Sequence, residues 1–178
     1  MGGIRENIGK RILKRKKKDL KRNVQVHNFD TARSAVILFP ADNPDDFPAI
    51  KAFRKFLEES GVKCKAFGYV PDKEIPQEML FWKSYSFITR KDLNWYYKPS
   101  GEAVDSFYTQ DPDILFDLTR DVPLELQYLV QLSNARFKIG IFTEEENDYD
   151  LMINLTEKKD MDYLTAQIKH YVSILNQS

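Results

Sequence analysis

Apolar positions change their spacing along this chain in a regular order. Ser34 leads into the continuous apolar run Ala35-Val36-Ile37-Leu38-Phe39, ended by Pro40, which predicts a strand buried on both faces, as in a parallel sheet. Phe47, Ile50, Phe53, Phe56 and Leu57 then recur at helical intervals, and Ser60-Gly61 closes that helix. Val62–Val70 reads as a second strand stopped by Pro71, and Tyr85–Thr89 as a short third. Asp113–Leu118 is a strong fourth, followed by a helix carrying Leu126, Leu129, Val130 and Leu132. Phe137–Phe142 and Leu151–Leu155 add two strands, and Met161, Leu164, Ile168, Tyr171, Val172 and Leu175 form the apolar stripe of a last helix. Strands interleaved with helices predict an α/β fold, a Rossmann-like three-layer sandwich with a mostly parallel sheet, built as a single domain over 23–178. Arg90–Asp111, with Asn94-Trp95-Tyr96-Tyr97 inside it, reads as one long irregular stretch of the kind that often carries function, although its aromatics fit better as a cap on an open sheet edge.

Before this body the pattern differs. Ile4, Ile8 and Ile12 recur every fourth residue, joined by Leu13 and Leu20, and Lys and Arg fill the rest. The spacing predicts a basic amphipathic helical arm over 1–22. The dense run Lys14–Lys18 repels itself, so such a helix frays in water unless the body or an anion holds it.

Composition sharpens this division. The 178 residues carry 27 basic and 27 acidic side chains, a formal net charge of zero. Positions 1–22 hold ten Lys and Arg against Glu6 and Asp19, a net +8, leaving −8 for the remainder. An asymmetry of this kind marks an arm that meets a polyanion. The candidate polyanion-binding residues are Lys10, Arg11, Lys14, Arg15, Lys16, Lys17, Lys18, Lys21 and Arg22. Three readings of the arm stand open. It is a solvated helix docking its Ile/Leu stripe on the domain, a surface for RNA phosphates, or a contact with an anionic membrane. The membrane is the weaker fit, because the stripe has no Trp or Phe. Aromatics for base stacking are also missing from the arm, so RNA binding there is backbone-reading and sequence-tolerant, with no readout of DNA sequence. One cysteine, Cys64, excludes a disulfide framework, and no apolar run long enough for a membrane span or a secretory leader occurs, which points to the cytoplasm.

In an open parallel sheet, ligands sit at the carboxyl ends of the strands where the strand order reverses. Those ends are predicted at Pro40-Ala41-Asp42-Asn43 and Thr119-Arg120-Asp121, making Asn43, Asp117, Thr119, Arg120 and Asp121 cleft candidates around Asp42. No Gly-rich turn follows the first strand. Asp42, Asp45 and Asp46 stand there and repel phosphate, so dinucleotides and nucleoside triphosphates are disfavoured and no cofactor is expected. Asp42 with Asp117 or Asp121 would make an acidic pair suited to a divalent cation or to base catalysis. Against this, Asp42 and Asp45 are well placed to cap the helix starting near Pro44, and no metal site is expected. His27 and His170 lie far apart and read as structural or solvated, and Cys64 as an inert strand cysteine.

Two resemblances attach to these residues. Lys91-Asp92-Leu93-Asn94-Trp95-Tyr96, Asp113–Asp117 and Tyr149-Asp150-Leu151-Met152-Ile153 resemble an uncharacterised family of small single-domain proteins from Bacteroidota, over Ser34 to Asn176. Asp113–Leu118 followed by Leu132-Ser133-Asn134-Ala135-Arg136-Phe137-Lys138-Ile139-Gly140 is similar to the amino-terminal half of heptosyltransferases, which are two-domain GT-B glycosyltransferases. By that resemblance Asp42 falls where those enzymes carry the base for the acceptor hydroxyl. The glycine before it and the domain that holds the nucleotide sugar are not here. The reading that leads is a non-enzymatic cytoplasmic adaptor that binds RNA, ribosomal RNA included, through its basic helix. The alternatives are a degenerate or partner-completed glycosyltransferase-like, sugar-binding domain using Asp42, and peripheral membrane attachment.

Overall fold

The structure is a computed structural model, and it describes residues 3–155 and 160–175. Asn176, where the resembling block ends, and the last positions of the predicted body lie outside the described residues. The elements run α1 (Ile4–Asp19), β1 (Ser34–Pro40), α2 (Phe47–Glu59), β2 (Lys63–Val70), β3 (Tyr85–Thr89), α3 (Glu102–Tyr108), β4 (Ile114–Asp117), α4 (Leu124–Leu132), β5 (Phe137–Ile141), β6 (Leu151–Ile153) and α5 (Met161–Ile174). The six strands form one all-parallel sheet in the order β3-β2-β1-β4-β5-β6. Chain order reverses between β1 and β4, which pair from Ala35↔Ile114 to Leu38↔Asp117. That register brings the carboxyl ends of both strands to one crevice.

Each strand side chain alternates between two cores. Ala35, Ile37 and Phe39 join Phe116 and Ile139 beneath Ile50, Phe53 and Leu57 of α2 and Leu164, Ile168 and Val172 of α5. Val36, Leu38 and Leu115 face the other way, under Val104 and Phe107 of α3 and Leu126, Leu129 and Val130 of α4. Burial on both faces explains why these strands read as unbroken apolar runs. Gly61, at φ 81, ends α2 in the left-handed conformation that glycine adopts without steric cost.

The stretch expected to be irregular, Arg90–Asp111, contains a helix. Thr89 opens a single turn at Arg90–Asp92 with a reciprocal cap to Asp92, and α3 follows Gly101, whose φ is 110. Only Val104 and Phe107 of α3 are buried, too few to print a helical period on the sequence. The connection from β5 to β6, residues 142–150, is a loop that carries Glu144, Glu145, Glu146, Asp148 and Asp150.

α1 forms a further layer, laid on the outer side of α4. Leu13 is 3% exposed and clusters with Leu124 and Tyr128. Burying that leucine is worth about 2 kcal/mol. The Tyr128 hydroxyl donates to the Gly9 carbonyl at 2.6 Å, and a β-carbon on Gly9 would run into the Tyr96 carbonyl and a Leu124 methyl. Gly9 is thus the point of closest approach. The apolar stripe is only partly used: Ile8 and Ile12 are half-buried and Ile4 is 80% exposed. The helix ends at Asp19, and Lys21 and Arg22 continue in extended chain.

Candidate functional site

The docked helix divides its cations into two sets. Lys17 pairs with Asp148, and Arg22 grips Asp150 in a two-pronged contact at 2.6 and 2.7 Å while its Nη1 also donates to the Ala135 carbonyl at 3.3 Å. Lys10 bridges back to Glu6 one turn earlier. The Lys17 and Arg22 pairs fasten the arm to the acidic β5–β6 loop, each worth on the order of 1 kcal/mol or less where water reaches it. Lys10, Arg11, Lys14, Arg15, Lys16, Lys18 and Lys21 stay exposed. Of the nine polyanion candidates, two therefore face carboxylates of the body and seven face solvent.

Beneath this strap lies Lys138, fully buried on β5. Its ammonium sits 3.5 Å from the Gln131 carbonyl, in the last turn of α4, where carbonyls lack helical partners. Burial lowers its pKa to about 8, with Arg22 and Lys17 pushing the same way and Asp148 and Asp150 opposing.

At the strand-order reversal a cleft of about 310 Å³ opens. Pro40 and Asp42 after β1, Tyr69 and Pro71 at the end of β2, and Thr119 and Asp121 after β4 line it, with Arg90, Tyr97 and Glu125. The structure brings Asp42, Thr119 and Asp121 together there and separates the other candidates. Asn43, not Asp42 or Asp45, caps the turn at Pro44–Asp46, by accepting from the Asp45 amide at 3.3 Å. Asp42 is exposed on the cleft wall. Arg120 makes a two-pronged pair with Asp46 at 3.0 and 3.1 Å, on a neighbouring groove it shares with Asn43.

Asp117 lies behind the cleft, fully buried. It accepts from the Tyr149 hydroxyl at 2.6 Å and the Thr119 amide at 3.0 Å. Burial pushes its carboxyl up against the pull of those hydrogen bonds, and burial first, then Asp117, pushes the Tyr149 phenol up. The pair is a structural tie between β4 and the β5–β6 loop. Tyr149 reaches it by lying flat over Gly140, where no β-carbon fits. Across the cleft, the Tyr69 hydroxyl donates to Glu125 at 2.6 Å, and burial followed by that carboxylate raises its pKa.

The remaining candidates are structural. His27 is buried with Nε2 3.8 Å from Asp113, and burial pushes the Cys64 thiol up to about 12, far from a reactive thiolate. Among the described residues, no cluster of three or more His, Cys, Asp or Glu could hold a metal ion, and no helix is long and apolar enough to cross a membrane.

Sequence reasoning gave no site role to Lys138, Tyr149 or the cleft residues Tyr69, Arg90 and Glu125, and it singled out the aromatic segment 94–97 without its partner. That segment runs along α1, where Arg5 Nε donates to the Trp95 carbonyl at 2.7 Å. It was expected at a sheet edge.

A family model matches residues 5–175, and its description is a family of unknown function (DUF6913). The chain belongs to this family. The match takes in α1 from Arg5 onward, so the basic helix is part of the family's own unit together with the body. A search of curated proteins returned no match.

Proposed function

We propose that this member of the family binds RNA through α1, as a non-enzymatic adaptor. The observation that carries the reading is the surplus of charge left after docking. The body neutralises Lys17 and Arg22, and seven further cations remain exposed on and just after a helix already fixed in place. A polyelectrolyte backbone gains affinity by releasing counterions to such a surface, and a prefolded helix spends little ordering entropy on binding. The contacts are to phosphates and carry no base code. Lipid is the poorer partner, because Gly9 and Leu13 turn the middle of the apolar stripe into the body and leave mainly Ile4, with half-buried Ile8 and Ile12, to meet a bilayer.

The test is equilibrium binding of a structured RNA by the full chain and by a variant carrying Lys14→Gln, Arg15→Gln, Lys16→Gln and Lys18→Gln. Deleting the helix is a poorer test, since it strips cover from Leu124 and Tyr128. Strong loss of affinity with unchanged stability is the expected result, and equal affinity removes the proposal.

A second reading is favoured by the cleft. Its wall holds Asp42, the position that the likeness to heptosyltransferases pointed to, with Thr119 and Asp121 from the end of β4, and Asp42 is not occupied in capping. A degenerate or partner-completed sugar-binding domain would present Asp42 to an acceptor hydroxyl there. Saturation-transfer NMR with a panel of free sugars decides this. Transfer that is lost in Asp42→Asn supports it, and no transfer to any sugar ends it.

A further inference from the structure

The basic helix has no aromatic residue of its own, yet the fold brings a row of them to its side. Arg5 donates to the Trp95 carbonyl, its guanidinium stands 5.7 Å from the centre of the Tyr97 ring, and the Tyr96 carbonyl abuts Gly9. Tyr96 also shares an open groove of about 390 Å³ with Ile12, Arg15, Lys16 and Asp19 of α1. Aromatic surface and exposed cations thus occupy one face, although some eighty residues of sequence separate them.

The turn that carries these rings is built to hold them still. The Asn94 side-chain oxygen accepts from the amides of Tyr96 and Lys98 at 3.1 and 3.0 Å, and the Asn94 backbone N–H donates to the Lys98 carbonyl at 3.0 Å. Tyr97 adopts φ 66, a conformation that a bulky residue rarely takes and that a surrounding structure must impose. Trp95 emerges 55% exposed, its ring 5.3 Å from that of Tyr96 in an edge-to-face contact. The largest apolar side chain in the protein's alphabet is thereby left in water on a fixed turn beside α1, whose Arg15 and Lys16 form no ion pair among the described residues.

We infer that Trp95 and Tyr96, with Arg15 and Lys16 of α1, form a binding site for single-stranded RNA in which an unpaired base stacks on the exposed indole. The inference rests on the reading of α1 as an RNA surface and narrows it to unpaired nucleotides. Every base offers a π-face, so stacking adds affinity without a sequence code, while adjacent phosphates run along the arginine and lysine row. A duplex covers its base faces and can use only the cations. Arg5 and Arg15 lie roughly 15 Å apart along the helix at its usual rise, the reach of about two steps of an extended single strand.

Binding is measured with the full chain and three probes at matched length: a single-stranded oligoribonucleotide, an RNA duplex, and an abasic single strand. Trp95→Ala, Trp95→Phe and the unaltered protein are compared. The site predicts that Trp95→Ala weakens the single strand by at least about fivefold, leaves the duplex and the abasic strand unchanged, and is largely rescued by Trp95→Phe. Tryptophan fluorescence should be quenched by the single strand in the unaltered protein and much less in Trp95→Phe, where only half-buried Trp82 reports. An equal effect of Trp95→Ala on all three probes, or none on any, overturns the stacking site and leaves phosphate binding by α1 standing. Failure of every RNA to bind overturns both. Trp95-dependent binding to anionic phosphatidylserine vesicles in place of RNA also overturns the site.

Discussion

The outer face of α1 and the cleft at the sheet's carboxyl edge are built in opposite ways. In the cleft, part of the polar lining is tied up within the fold, while the Thr119 hydroxyl is buried without a partner among the described residues. Tyr69 is tied to Glu125, and behind the wall Asp117 is tied to Tyr149 and the Thr119 amide, while Asp42, Asp121 and Glu125 outnumber Arg90. On the helix, two cations are answered by the body and seven stay exposed. Groups satisfied internally report what the fold needs, and charge in excess of that need reports what the fold leaves for a partner. By this measure the helix, with its neighbouring tryptophan, is the better candidate.

The comparison breaks most readily at its cationic side. Replacing Lys14, Arg15, Lys16 and Lys18 with Gln removes about four phosphate contacts, which at ~0.15 M salt corresponds to roughly a hundredfold loss of RNA affinity, or about 2.7 kcal/mol. Thermal stability should move by no more than about 0.5 kcal/mol, because all four side chains are exposed. A smaller effect is expected from Gly9→Val, which forces a side chain against the Tyr96 carbonyl. It should cost about 2 kcal/mol, seen as a fall in melting temperature of about 6 °C, and weaken RNA binding by disturbing the helix that presents the cations.

Lys138 sharpens the comparison from beneath the strap. Its pKa is near 10.5 unfolded and about 8 folded, so the folded state bears the cost of a buried ammonium at and below neutral pH. Between pH 8 and 10 the unfolded chain holds the extra proton, and this group makes stability rise with pH. Above pH 10 the buried tyrosines act the other way, since their raised pKa values favour folding only while they stay protonated. Lys138→Met is expected to gain about 1–2 kcal/mol at pH 7 and to flatten the rise between pH 8 and 10, measured by urea titration at several pH values. The smallest effect belongs to the cleft. Asp42→Asn should leave both stability and RNA affinity within about 0.5 kcal/mol, because Asp42 is exposed and caps nothing.

The sequence made the sheet legible because its strands are buried on both faces. Runs such as Ala35–Phe39 and Ile114–Phe116 have no solvent side to interrupt them. α3 escaped notice because two buried residues, Val104 and Phe107, set no period. At the cleft, the strand-reversal rule pointed to Asp42, Thr119 and Asp121, which line one cavity, since it depends only on strand order. It could not show that Asn43 turns away to cap, that Arg120 is held by Asp46, or that Asp117 sits inside. Those outcomes depend on side-chain partners far along the chain. The meeting of Trp95 with α1 left a single trace in the sequence, Gly9, a residue unfavourable within a helix unless another backbone must pass close by.

The most direct measurement is the salt dependence of RNA affinity for the full chain and for the four-cation variant. The account predicts a straight fall of log affinity against log salt, with a slope for the unaltered protein that is steeper by about three, the share of four phosphates at ~0.7 each. Parallel lines of equal affinity would show that the exposed cations of α1 meet no phosphate, and would contradict it.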